Sequence, residues 1–151
     1  MVGLGLQEAP EGPVTIMFTD VEGSTSLRTQ LGDDEADALF RRHDELIRAR
    51  IAEHHGHDQE AALGDGFLAV FLSTKRAISC AIEIQRAFDG FNRERSVPVK
   101  VRIGLNTGEV TLKDGQLSGE AVHAAARVCA IGNGGEILVS DITRQLAGTL
   151  P

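Results

Sequence analysis

Basic charge is what this sequence is short of: 15 Lys and Arg stand against 22 Asp and Glu, a formal net charge of −7. A nucleic-acid or anionic-membrane surface leaves a basic electrostatic footprint, so both partner classes are excluded. Long apolar runs are missing too. None approaches the roughly 20 residues a bilayer crossing needs, and no charged, apolar, small-residue order marks a secretory leader. Cysteine is scarce, with Cys80 and Cys129 alone. Both fall on apolar faces of expected helices, which makes them buried free thiols rather than a disulfide. No internal repeat or low-complexity segment interrupts the chain. The expectation is a soluble, cytoplasmic protein.

What is present suits one domain: 151 residues at 42% hydrophobic content can bury a core of their own. Residues 1–12, without periodicity and rich in glycine, read as a flexible N-terminal arm, and 13–151 as the domain. Val14–Thr19 has the length and apolar character of a strand, and Ser24 opens a short helix. A longer helix follows, capped by Asp33 or Asp34, with Ala36, Leu39, Phe40, His43, Ile47 and Ile51 at helical spacing. Gly56 stops it. Glu60–Leu63 and Phe67–Leu72 read as strands around the tight-turn signal "GDG". Ser73 caps a third helix whose stripe is Ala77, Cys80, Ala81, Ile84, Phe88 and Phe91. A strand at Val99–Leu105, a helix from Ser118 to the glycines at 132, 134 and 135, a strand at Glu136–Val139 and a helix at Asp141–Ala147 complete the order. This order predicts an α+β fold: a ferredoxin-like, antiparallel or mixed sheet with helices on one face.

The stretch "VTIMFTDVEGSTSL" runs an apolar strand straight into a carboxylate and a small polar turn. Asp20 at the strand end and Asp65 in the "GDG" turn share a strand-and-turn context. Oxygen ligands of this kind suit hard divalent cations. Taken singly, Asp65 is an ordinary turn aspartate and Asp20 a loop or capping one. The cluster His54, His55, His57 and Asp58 straddles a helix end without clean ligand geometry and reads as a solvated helix end. "GNGG" at 132–135 lacks the strand-to-helix context of a dinucleotide loop and reads as a helix stop. His43, on an apolar helix face, reads as a core residue.

Four stretches together resemble the catalytic domain of class III adenylate/guanylate cyclases: "FTDVEGST" at 18–25, "GDGFLAVF" at 64–71, "VRIGLNTGEV" at 101–110 and "GEAVHAAARV" at 119–128. Any one is weak evidence; their order and spacing are specific. The similarity covers most of Val14 to Ser140 and is nearest the bacterial branch with "VH" ahead of "AAR". The wider family adds a C-terminal hairpin carrying a lysine that touches the triphosphate. This chain stops at Pro151, before that hairpin would be complete.

The resemblance implies a function and a site. It implies conversion of ATP to cyclic AMP and pyrophosphate with two Mg2+ or Mn2+ ions. Asp20 and Asp65 would bind metal, with the backbone carbonyl of Val21 assisting. The backbone of Glu22, Gly23, Ser24 and Thr25, at a helix N-terminus, would hold phosphates. Arg102 would join them, although alone it reads equally as a solvated strand-edge cation. Arg127 and His123, four apart on one helix face, would act across a dimer interface on nucleotide held by the other subunit. Arg127 would stabilise charge on the transferring phosphate, and His123 would stand where much of the family orients the ribose with asparagine. Base selection departs from the pattern. Ala61 stands where many adenylate cyclases carry a lysine, and Gln116 where they carry an aspartate; Asp114 could substitute if the loop shifts. Alanine cannot read a base edge, whereas the Gln116 amide offers a donor and an acceptor. The implied activity is therefore weak or of relaxed base specificity, with ATP or GTP as substrate. The implied assembly is a homodimer, or a heterodimer with another cyclase chain. The alternative is a catalytically inactive module that binds nucleotide or dimerises to regulate something else.

Overall fold

The computed structural model describes residues 10–59 and 66–148. Seven strands and five helices are present among them: β1 Val14–Val21, α1 Ser24–Leu31, α2 Asp33–Glu53, β2 His57–Gln59, β3 Phe67–Phe71, α3 Thr74–Asn92, β4 Val101–Gly108, β5 Thr111–Lys113, β6 Gln116–Ser118, α4 Glu120–Ala130, β7 Ile137–Val139 and α5 Asp141–Ala147. The main sheet has the order β2-β3-β1-β4-β7, and β5 and β6 form a separate hairpin. All pairings are antiparallel except β4 with β7. The expected α+β fold with a mixed sheet is the one observed.

β1 lies at the centre, buried along most of its length, and alternation sorts its side chains to two faces. Met17 and Val21 join a core built with Leu39, Phe40, Ile47 and Ile51 of α2 and Ala77, Ala81, Ile84 and Phe88 of α3. Val14 and Ile16 point the other way, into a second core with Leu68, Val70, Val122 and Ala125. Helices therefore cover both faces, not one. The cause is the parallel β7: to return alongside β4 the chain must cross over the sheet, and α4 is that crossover. β3, buried at every position, carries the signature of a strand covered on both sides.

The helical stripes fall where the spacing puts them. All six apolar-face residues of α2, including His43, are buried, and His43 Nδ1 lies 2.8 Å from Asp44 Oδ1. Ser73 caps α3 by accepting from Arg76 N–H at 3.2 Å, and of its expected stripe only Phe91 remains half-buried. Other boundaries move. Gly32, not Asp33 or Asp34, is the N-cap of α2. His57 and Asp58 belong to β2 rather than to a solvated helix end, with Asp58 3.6 Å from Arg48. Strand β4 starts and ends later than expected, at Val101 and Gly108. The loop "LKDGQLSG" is a hairpin turning on Asp114 and Gly115, both at positive φ (54° and 77°). That fixes its register and defers the start of α4 from Ser118 to Glu120. The expected strand Glu60–Leu63 and most of the arm lie outside the described residues.

A chain of hydroxyls crosses the α3 and α5 side of the sheet. Ser140, Thr143, Thr107, Thr15 and Thr74 are linked successively at 2.9, 2.9, 3.0 and 2.9 Å. Each buried hydroxyl is thereby satisfied, and β1, β4, α3 and α5 are joined by polar contacts where methyl groups would have left no directionality. No described helix is long and apolar enough to cross a membrane.

Both cysteines are buried and unbridged. Burial pushes the Cys80 thiol from 9.0 up to about 12, and the Cys129 thiol up to about 11. In the unfolded chain these thiols ionise near 9, whereas in the folded chain they stay protonated, so their contribution to stability is intact below pH 9 and is lost as pH climbs through 11 to 12. The expected result is a melting temperature that falls from pH 9 upward, with a shallower fall in Cys80→Ala, read by thermal denaturation at stepped pH.

Candidate active site

The register of β1 against β4 builds the site. Val14, Ile16, Phe18 and Asp20 stand opposite Gly108, Asn106, Gly104 and Arg102, all on the face that α4 covers. Apolar residues, two glycines and Asn106 lie under the helix, and at the open end Asp20 meets Arg102 in an ion pair of 2.5 Å. Asp20 is 42% and Arg102 25% exposed in their side chains, so solvent reaches both. The Arg102 Nε is buried without a hydrogen-bond partner, leaving this guanidinium a free donor beside the carboxylate.

Beyond Asp20 the chain turns. Gly23 has φ 67° and ψ 33°, a left-handed conformation that a side chain would strain. It is the N-cap of α1, which has no side-chain cap and no acidic residue in its first turn. A helix start so arranged leaves N–H donors and positive dipole for an anion. Ser24 is half-buried and Thr25 exposed. Glu22 differs from its three successors. Its N–H donates to Lys100 O at 2.8 Å, and its carboxylate turns away to accept from Gly134 N–H at 2.5 Å. The expected backbone donor at Glu22 is thus already committed, and the available donors narrow to residues 23–25. Val21 is 2% exposed and paired in the ladder with Val101.

A pocket of about 230 Å³ opens between the strands and α4, lined by Phe18, Asp20, Gly66, Ala126 and Cys129 among others. Asp65 and Ala61 lie outside the described residues. Gly66, the next described position after Asp65, comes so close to β1 that a Cβ there would lie 2.7 Å from Thr19 O. Among the described residues no group of three His, Cys, Asp or Glu converges on one point. A hard divalent cation nevertheless fits what is there: a half-exposed carboxylate at a strand end, with oxygen donor chemistry, beside the close approach of Gly66 to β1.

On α4, His123 and Arg127 are both exposed and one turn apart. Arg127 Nη2 pairs with Glu120 Oε1 at 2.5 Å, which lowers the Glu120 pKa through that hydrogen bond and the Arg127 charge. Gln116 is exposed at the start of β6, and the hairpin is tied to β2 where Leu117 N–H donates to Gln59 Oε1 at 2.9 Å.

Sequence reasoning missed what holds α4 in place. A Cβ at Gly104 would lie 2.3 Å from Cys129 N, and one at Gly108 2.7 Å from Ala121 Cβ. These two glycines, one strand face and four residues apart, are slots into which the helix backbone settles, and Asn106 Nδ2 between them donates to Ala121 O at 3.0 Å. Glycine inside an otherwise apolar strand, as in "VRIGLNTG", is the available signal for such close approach.

With this geometry in hand, the comparisons are informative. The model of the adenylate and guanylate cyclase catalytic domain matches residues 6–149. An uncharacterized protein of Mycobacterium tuberculosis is 34% identical over 144 residues, covering 94% of this chain and 48% of the relative. The crystal structure of an adenylate/guanylate cyclase/hydrolase from Silicibacter pomeroyi is 38% identical, with a TM-score of 0.74 over 88% of this chain and 78% of that one. That of the guanylyl cyclase Cya2 is 26% identical, with a TM-score of 0.82 over 99% and 82%. The chain belongs to the class III adenylate and guanylate cyclase catalytic domain family, a family of phosphorus–oxygen lyases that use divalent metal ions. It spans about half the length of the first curated relatives it matches.

Gly104→Ala is expected to destabilise the fold by about 1–3 kcal/mol through overpacking against helix backbone. Urea denaturation reads the loss, and a Gly108→Ala variant, meeting only a side-chain methyl, is expected to lose less.

Proposed function

We propose that the domain, residues 13–151 with 1–12 as an arm, converts ATP to cyclic AMP and pyrophosphate, with relaxed base specificity that admits GTP. The observation that carries this reading is the half-exposed Asp20 beside Arg102, directly ahead of the uncapped start of α1. Divalent Mg2+ or Mn2+, two ions per site held by Asp20 and Asp65 with the Val21 carbonyl, would neutralise triphosphate charge and acidify the ribose 3′-hydroxyl. The chain's own part is positioning and charge stabilisation, as in phosphoryl transfers generally. Asp20 would hold the metal in place of its guanidinium partner. Arg102, so released, has Nη2 and the orphaned Nε free to donate to phosphate oxygens. The N–H groups of Gly23 to Thr25 cradle the remaining phosphate charge. The 3′-oxygen then attacks the α-phosphorus, the bond to the bridging oxygen breaks, and pyrophosphate departs with that electron pair.

Arg127 and His123 serve the partner subunit's nucleotide in a homodimer, or that of another cyclase chain in a heterodimer. Their exposure on α4 supports this, since among the described residues neither is hydrogen-bonded inside its own subunit by its side chain except in the Arg127–Glu120 contact. An exposed ion pair of that kind is worth about 1 kcal/mol or less, so Arg127 leaves it readily. Ala61 and Gln116 make the base site permissive: the Gln116 amide can pair with adenine or guanine, and Ala61 selects neither.

Purified protein with Mn2+ and either ATP or GTP, assayed for cyclic nucleotide by mass spectrometry, tests this. Asp20→Ala is expected to abolish product, and Arg127→Ala to lower it by about 10²–10³. Mixing the two inactive variants is expected to restore activity, because one of the two composite sites is then intact. Product unaffected by Asp20→Ala would overturn the reading. Nucleotide bound without product would identify a non-catalytic module.

A further inference from the structure

The "GNGG" segment does more than stop α4. We propose that Glu22 is a positioning residue: it clasps the turn at 20–25 to the 132–135 loop and so holds the α1 N-terminus in register for phosphate. The inference rests on reading that turn as the triphosphate site.

Three hydrogen bonds draw these segments together. Glu22 N–H donates to Lys100 O at 2.8 Å, Gly134 N–H to the Glu22 carboxylate at 2.5 Å, and Gly135 N–H to Val101 O at 2.9 Å. The loop itself is closed by Asn133 N–H donating to Glu136 Oε1 at 2.7 Å. The fit leaves no room for a side chain at Gly134. A Cβ at Gly134 would lie 2.5 Å from Lys100 Cβ and 3.2 Å from both Glu22 Cβ and Oε2.

The clasp explains an otherwise awkward charge. A carboxylate one residue from a phosphate-binding turn repels the ligand through space. Here the carboxylate is engaged by the Gly134 N–H. It restrains Gly23, whose left-handed conformation sets the direction of the α1 donors. Among the described residues, no other side-chain hydrogen bond joins the 20–25 turn to the 132–135 loop. Preorganising the turn lowers the ordering cost of binding, and so acts on affinity.

Electrostatics and tethering predict opposite signs, which makes the idea testable. The probe is 3′-deoxy-ATP with Mn2+, which lacks the attacking hydroxyl and cannot cyclise, titrated by calorimetry. Glu22→Ala is expected to weaken binding about 3- to 10-fold, the scale of one lost hydrogen bond. Glu22→Gln keeps an acceptor for Gly134 while removing the charge, and is expected to bind as tightly as the parent or more so. Gly134→Ala is expected to resemble Glu22→Ala. Amide hydrogen exchange at 23–27 in the ligand-free protein is the second readout: it is expected to quicken in Glu22→Ala and not in Glu22→Gln. Binding by Glu22→Ala equal to or tighter than the parent overturns the proposal, as does unchanged exchange at 23–27. Failure of the parent itself to bind 3′-deoxy-ATP would count against the triphosphate site, while the exchange result still decides the clasp.

Discussion

The ion pair between Asp20 and Arg102 is the contact on which the functional arrangement turns, and its weakness matters as much as its geometry. Both groups are reached by solvent, so their attraction is worth about 1 kcal/mol or less. The pair keeps a carboxylate and a guanidinium side by side on one sheet face, at the mouth of a pocket, without binding either irreversibly. A divalent cation competes easily for the carboxylate. Loss of the carboxylate in turn frees an arginine that already holds an unpartnered donor. In the proposed reaction, one exchange of partners would prepare a cation site and an anion site together.

Everything that places this pair is backbone. The antiparallel register puts Asp20 opposite Arg102, and the same alternation puts Phe18, Gly104 and Asn106 on that face beneath α4. The glycine slots at 104 and 108 let the helix lie close, which brings Ala126 and Cys129 to the edge of the pocket that Asp20 lines. The helix that carries Arg127 and His123 outward is therefore packed closely against the strand pair that carries Asp20 and Arg102. In a dimer with shared sites, such packing transmits register from one half-site to the other.

The sequence made the periodic parts legible and the non-local parts opaque. Six residues of α2 at helical spacing were enough to find its buried face, because burial and periodicity are the same fact in a long amphipathic helix. The family was legible through the motifs at 18–25, 64–71, 101–110 and 119–128, and the family match at 6–149 agrees. The three-residue strands β2, β5 and β6 were not found, since three residues hold no measurable period. The placement of α4 on the far face depends on the parallel pairing of β7, which no local pattern announces. The destination of the Glu22 carboxylate, 112 residues along the chain at Gly134, could be learned only from the fold.

The most direct measurement is the location of the metal. In an amide-resolved NMR spectrum of the full chain, Mn2+ added with a non-cyclisable ATP analogue broadens residues close to the ion. The account expects broadening centred on residues 19–25, with Gly66 and Arg102 affected and the His54–Asp58 segment left sharp. Broadening centred on His54–Asp58, or none at Asp20, would contradict it.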